Sequence, residues 1–135
     1  MSYRFPLLFS GLFGLTGTIL GALGAHGPLR VLLDQRGSQE SWETAVYYQL
    51  VHAVALLGAG VWLRTGVADA TPKALVWAAR GWVAGTLLFS GTIYLLAVGG
   101  PRFLGPITPL GGVCLMLGWA GLIAAAFHRG PAARR

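Results

Sequence analysis

Apolar residues fill this chain in four long runs, at roughly 5–25, 45–63, 77–98 and 109–127. Each is close to the ~20 residues that an α-helix needs to cross the hydrocarbon core of a bilayer. A soluble fold has no use for so much unbroken apolar length, so the pattern predicts an all-α, polytopic membrane protein. The helix ends are punctuated. Thr71-Pro72 reads as an N-cap followed by proline at the first helical position, and Thr108-Pro109 repeats the device. Ser41 with Glu43 close behind marks the start of the second helix, and Gly99-Gly100-Pro101 ends the third. The expected helices are 5–25, 42–64, 72–98 and 109–128, in a single membrane domain spanning 1–135. Short second and third loops favour antiparallel neighbours, hence an up-down-up-down bundle of four transmembrane helices. The sequence shows no convincing internal repeat and no low-complexity segment.

The first run has some features of a signal peptide, with Arg4 before it and Ala22-Leu23-Gly24 near its end. At about 21 residues it exceeds the ~7–15 of a signal h-region, so it reads as a retained span.

Charge adds orientation. Of the 135 residues, 55% are apolar and 10% charged, and the net charge is +6. Arg4, Arg64, Lys73, Arg80, Arg129, Arg134 and Arg135 fall on one side of a four-span chain, and Arg30, Arg36 and Arg102 on the other. The positive-inside bias places both termini in the cytoplasm, or on the equivalent side in an organelle. Asp34, Glu40 and Glu43 all lie in the outer first loop. Trp62, Trp77 and Trp82 are expected in an interfacial belt at the cytoplasmic ends of the second and third helices. The basic residues sit at helix ends and tails without interleaved aromatics, which argues against nucleic acid as a partner. The expected surroundings are membrane lipid.

Glycine supplies the packing signal. The chain has 21 glycines, and many recur at helical spacing. Gly14, Gly17, Gly21 and Gly24 mark one side of the first helix; Gly17/Gly21 and Gly81/Gly85 are GxxxG pairs, and Gly118 and Gly121 sit three apart. Small residues let helix backbones approach in lipid. These faces serve close packing within the chain, a homo-oligomer or membrane-complex interface, or both on different helices.

Polar residues converge on one level. The second helix enters from the outer side, which puts His52 about two turns down, roughly 10 Å at 1.5 Å per residue. Tyr48 and Gln49 share its helical face. By the same topology His26, Ser90, Tyr94 and Thr108 also belong to the outer half. The predicted cluster is therefore His26, Tyr48, Gln49, His52, Ser90, Tyr94 and Thr108. An ionisable group at membrane depth needs a partner or a purpose. Either the cluster is a hydrogen-bonded structural knot, with His52 neutral and bonded to a Tyr or Ser, or it forms an outward-opening site for a small molecule, a lipid, an ion or a proton.

Enzymatic constellations are thin. No Asp or Glu lies within a span, so no carboxylate pair serves acid–base chemistry there. GxSxG, HExxH and P-loop motifs are absent. Ser90 near His52 has no acidic orienter to complete a triad. The lone Cys114 reads as packing, and the histidines have no metal-ligand spacing. Haem ligation by His26 and His52 is disfavoured because the two sit at different depths. No cofactor and no metal are expected, and no catalytic residue is assigned.

The motifs also carry a resemblance. Gly21-Ala22-Leu23-Gly24-Ala25-His26-Gly27, Trp42-Glu43-Thr44-Ala45, Tyr48-Gln49-x-x-His52-Ala53, Phe89-Ser90-Gly91-x-x-Tyr94, Thr108-Pro109-Leu110-Gly111-Gly112 and Gly118-Trp119 come in that order. The set resembles the domain of unknown function 423 family, small membrane proteins of the YgdD-like bacterial and transmembrane protein 256-like animal types. The resemblance runs from about residue 9 to 126. It implies a four-helix inner-membrane protein and brings no activity, substrate or catalytic residue to carry over. The expectation from the sequence is a non-enzymatic structural or accessory component that self-associates or joins a larger membrane complex. The alternative is a binding or translocation site centred on His52.

Overall fold

The computed structural model describes residues 3–65 and 72–127. Among them the regular structure is entirely helical: α1 (Arg4–Ala25), α2 (Gly27–Gln35), α3 (Gln39–Thr65), α4 (Lys73–Ala97), a 3-10 turn (Arg102–Leu104) and α5 (Ile107–Ala126). The four long helices fall on the four apolar runs. Thr71 and the C-terminal Arg129, Arg134 and Arg135 lie outside the described residues.

Three stretches are long and apolar enough to cross a membrane by length and composition: Arg4–Ala25, Gln39–Thr65 and Arg102–Ala126. The helix outside that set, α4, carries Lys73 and Arg80 toward its start and buries Thr86, Ser90 and Thr92 further along. Its composition follows from its place. Ten of its residues are buried, against four each in α1 and α5, so α4 meets protein where the flanking helices present apolar side chains outward.

The helices form two hairpins. α1 packs on α3, α5 packs on α4, and α3 meets α4 between them. Contacts set the directions. Leu7 lies against Gly60 and Gly24 against Trp42, so α1 and α3 run antiparallel. Gln49 bonds Tyr94 while His52 faces Trp82, so α3 and α4 do too. Gly111 abuts Phe89 and Gly121 abuts Ala74, which makes α4 and α5 antiparallel as well.

The elements differ from the sequence expectation at their ends. The first loop contains a helix, α2, whose Leu33 is fully buried in a small second core with Trp42 and Ala97. α3 starts at Gln39, with Ser38 rather than Ser41 before its first turn, since the Trp42 N–H donates to the Ser38 carbonyl at 3.0 Å. Pro72 is the cap of α4 and not its first residue. α5 begins at Ile107, so Thr108 and Pro109 lie inside its first turn. Proline is tolerated there because the first N–H groups of a helix have no intrahelical acceptor.

Two helix ends lock together across the first loop. α2 and α4 each close with a Schellman arrangement. Gly37 (φ 62°) donates to Asp34 O at 3.1 Å and Ser38 to Leu33 O at 2.9 Å. Gly99 (φ 98°) donates to Leu96 O at 3.0 Å and Gly100 to Leu95 O at 2.7 Å. Arg36 Nε and Ser38 Oγ then both donate to Ala97 O, at 3.1 and 2.9 Å. A cation at a helix C-terminus also complements the helix dipole. The loop around Arg36 is thereby a clasp on the end of α4.

The hairpin interfaces are built on glycine. A Cβ at Gly85 would come 2.8 Å from the Leu115 backbone nitrogen, and one at Gly81 3.0 Å from the Cys114 carbonyl. Gly17 packs under Leu50, and Gly118 and Gly121 face Trp82 and Ala78. By contrast Gly11, Gly14, Gly58 and Gly91 have nothing within 4 Å of a notional Cβ. The contrast predicts opposite signs. Gly91→Ala is expected to stabilise by up to about 1 kcal/mol, the helix-propensity gain. Gly85→Ala is expected to destabilise by about 1–3 kcal/mol, because backbone must move to admit the methyl group. Unfolding titrations in a bilayer-mimetic detergent measure both; equal stabilities would deny the close approach of α4 and α5.

Candidate functional site

The polar side chains of the interior form cross-helix pairs rather than one pool. Gln49, buried on α3, is the most connected. Its Nε2 donates to Phe13 O at 2.9 Å and Thr16 Oγ1 at 2.8 Å on α1. Its Oε1 accepts from the Tyr94 hydroxyl of α4 at 3.0 Å. One amide thus ties three helices, with donors and acceptor used in the sense each allows. Tyr94 in turn packs on Trp42, ring centroids 4.7 Å apart, and the Trp42 indole donates to Leu20 O at 2.9 Å. One helical turn from Gln49, Ser90 Oγ of α4 donates to Ala45 O of α3 at 2.9 Å.

His52 lies one turn deeper, 2% exposed. Its Nδ1 is 2.7 Å from Tyr48 O, and the Trp119 indole N–H donates to its Nε2 at 3.1 Å. A carbonyl only accepts and an indole N–H only donates, so the proton sits on Nδ1 and the ring is neutral. Protonating Nε2 would set two donors face to face. Around this ring stand Tyr48, Trp82 and Trp119, at centroid distances of 6.1, 6.5 and 5.8 Å.

The seven residues expected to meet do not all do so. Gln49 and Tyr94 are bonded directly, and Ser90 and His52 lie on the same α3–α4 seam. His26 is exposed at the α1–α2 junction and outside the seam, because the chain turns there into α2. Thr108 pairs with Thr92 at 2.7 Å, in a separate α4–α5 contact. Tyr48 gives His52 its backbone carbonyl, and its ring packs on Phe89 at 4.7 Å. The partner of His52 is accordingly a backbone carbonyl and a tryptophan, neither the Tyr hydroxyl nor the Ser expected. Trp82, expected at the interface, is 1% exposed between α3 and α5, whereas Trp77 is 66% exposed beside Arg80. Sequence reasoning also missed Thr16, Thr92 and Trp119. Trp119 carried a signal, since a tryptophan deep within an apolar run is away from the belt that usually holds it.

What the seam can do chemically is limited. Among the described residues no group of three or more His, Cys, Asp and Glu side chains could hold a metal ion. Trp82 Nε1 and Thr86 Oγ1 are buried without a hydrogen-bond partner, and each is a neutral group.

Helices of this length and composition, antiparallel packing and an apolar exterior define a multi-pass membrane protein. The chain belongs to the family described as protein of unknown function (DUF423), whose model matches residues 20–112. It is 35% identical over 130 residues to the UPF0382 inner membrane protein YgdD of Escherichia coli strain K12, covering 95% of this chain and 93% of that one. It is 41% identical over 109 residues to the UPF0382 membrane protein SAB0533 of Staphylococcus aureus, covering 79% and 82%. A third relative, SH2409 of Staphylococcus haemolyticus, is 40% identical over 109 residues, covering 79% and 82%. No solved structure matches the chain significantly. The protein resides in the inner, or plasma, membrane, in keeping with these relatives.

Because Gln49 and Tyr94 share a bond, their removal is expected to be non-additive. A Gln49→Leu, Tyr94→Phe double-mutant cycle in a bilayer mimetic should return a coupling of about 0.6–1.7 kcal/mol, the range of membrane hydrogen bonds. Additive losses would show that the two side chains do not bond in the membrane.

Proposed function

We propose that the protein is a four-span accessory component of the inner membrane, with both termini in the cytoplasm, that works by lateral association with a second copy or another membrane protein rather than by catalysis. The four-span reading is supported by α4, which lies antiparallel between α3 and α5 at their depth although its own composition is less apolar. Seven basic residues on the terminal side against three on the other support the orientation.

The observation that carries the association is on α1. This helix holds its small residues in two settings. Gly17, Gly21 and Gly24 turn inward to Leu50, Val46 and Trp42 of α3. Gly11 and Gly14, nearer its start, have no side chain of the described residues within 4 Å of a notional Cβ, and Thr18 continues that ridge with its hydroxyl bonded back to Gly14 O at 2.8 Å. A ridge of small residues facing lipid admits a neighbouring helix closely. The second reading, a ligand or proton site at His52, is weakened by geometry: both ring nitrogens are engaged within the chain.

Photocrosslinking in native membranes from position Leu15, on the same exposed ridge, is expected to trap a protein adduct. Gly11→Leu with Gly14→Leu should abolish most of it while lowering neither helix content nor thermal stability. Monomer alone in crosslinked membranes, or undiminished trapping in the double variant, would sink the reading.

A further inference from the structure

The α1–α3 hairpin leaves a groove at its outer end. It measures about 330 Å³ and runs between Gly21, Gly24 and Ala25 on one side and Val46, Tyr47 and Leu50 on the other. That size is at the lower end of small-ligand sites. Its floor is rigid: Trp42, 4% exposed, is pinned by its indole bond to Leu20 O. The walls are apolar, but the end nearest the start of α3 is not. Gln39 and Glu43 line it there.

These polar groups make a set of acceptors. Gln39 Nε2 donates to Gly24 O at 3.2 Å and to Glu43 Oε1 at 2.6 Å, which fixes the amide orientation, since both partners only accept. Gln39 Oε1 is then left buried with no donor. A buried acceptor without a partner is costly enough to call for an explanation. Beside it stands the Glu43 carboxylate, exposed and with lone pairs to spare. The last carbonyls of α1 also end at this groove, and the last turn of α1 holds no basic residue to meet them. The opposing dipole of the α3 N-terminus is met by Glu40 in its first turn. Anions are disfavoured at such a place, and a donor-rich cation fits it.

We propose that this groove binds a membrane phospholipid whose headgroup carries a primary ammonium. The ammonium donates to the exposed Glu43 carboxylate, a turn of the Gln39 amide brings its unfilled Oε1 into reach, and an acyl chain lies along the glycine-thinned wall toward Leu50. The groove sits at the ends of two helices long and apolar enough to span, which is headgroup level. This inference does not depend on the association reading, because the groove lies at the C-terminal end of α1 and Gly11 and Gly14 lie in its first half.

The test is native mass spectrometry of the full chain released from nanodiscs holding equal parts phosphatidylethanolamine, phosphatidylcholine and phosphatidylglycerol. Phosphatidylcholine carries the same charges as phosphatidylethanolamine but no N–H donor. The unaltered protein is expected to retain phosphatidylethanolamine over phosphatidylcholine by about tenfold, a ratio in keeping with one charge-assisted hydrogen bond. Glu43→Gln, at the exposed rim, should erase that preference with its helix content intact. Equal retention of the three lipids by the unaltered protein, or preference surviving in Glu43→Gln, overturns the proposal. So does added mass that proves to be protein, since a lysine of a neighbouring chain offers the same ammonium.

Discussion

In lipid, an apolar side chain gains little by facing another helix instead of an acyl chain. Every feature that holds this protein together answers that constraint. Where helices must meet, the chain removes side chains: Gly81, Gly85, Gly118 and Gly121 let α4 and α5 approach to backbone contact, and Gly17 and Gly24 on α1 make room for the Leu50 and Trp42 side chains of α3. Dispersion then acts over many atom pairs at short range. The core that results is rich in alanine, with Ala53, Ala59, Ala78, Ala79 and Ala125 around Leu56, Trp82 and Leu115.

Hydrogen bonds supply what shape alone leaves undetermined. The two hairpins meet chiefly along α3 and α4, and that seam carries Gln49–Tyr94, Ser90–Ala45 and the His52 group. Each bond selects one register, because a one-residue rotation would carry the side chain to another face of its helix. His52 belongs to this set. With a carbonyl on one nitrogen and the Trp119 indole on the other, it links α3 to α5, which otherwise barely touch. The histidine that looks most like chemistry in the sequence is placed as a structural pin.

Much of this was legible beforehand. The four apolar runs foretold the four long helices to within a few residues at most ends, and the order of the motifs matched the family to which the chain belongs. Gln49, Ser90, Tyr94 and His52 were identified as one level from helical spacing and topology. His26 and Thr108 were assigned to that level by depth alone, and depth says nothing about which way a side chain points. The helix α2 was hidden because it is too short to show a helical period, and its one buried residue, Leu33, is covered by Trp42 together with Ala97 of α4, far along the chain. The same holds for Arg36, whose acceptor, Ala97 O, is 61 residues away.

The sequence by itself determined the class of protein, the positions of its long helices and the side of each polar residue along its own helix. Those are local matters: hydrophobic length, a 3.6-residue period and the conformational limits of Gly and Pro. Tertiary structure decided which glycines face a neighbour and which face outward, which acceptor each buried donor finds, and that Gln39 is left with an acceptor unfilled beside Glu43. Those depend on the rotation and register of one helix against another. In a chain whose helices are apolar nearly all round, the hydrophobic pattern does not specify that rotation. Close contact at glycine and a few polar pairs specify it instead.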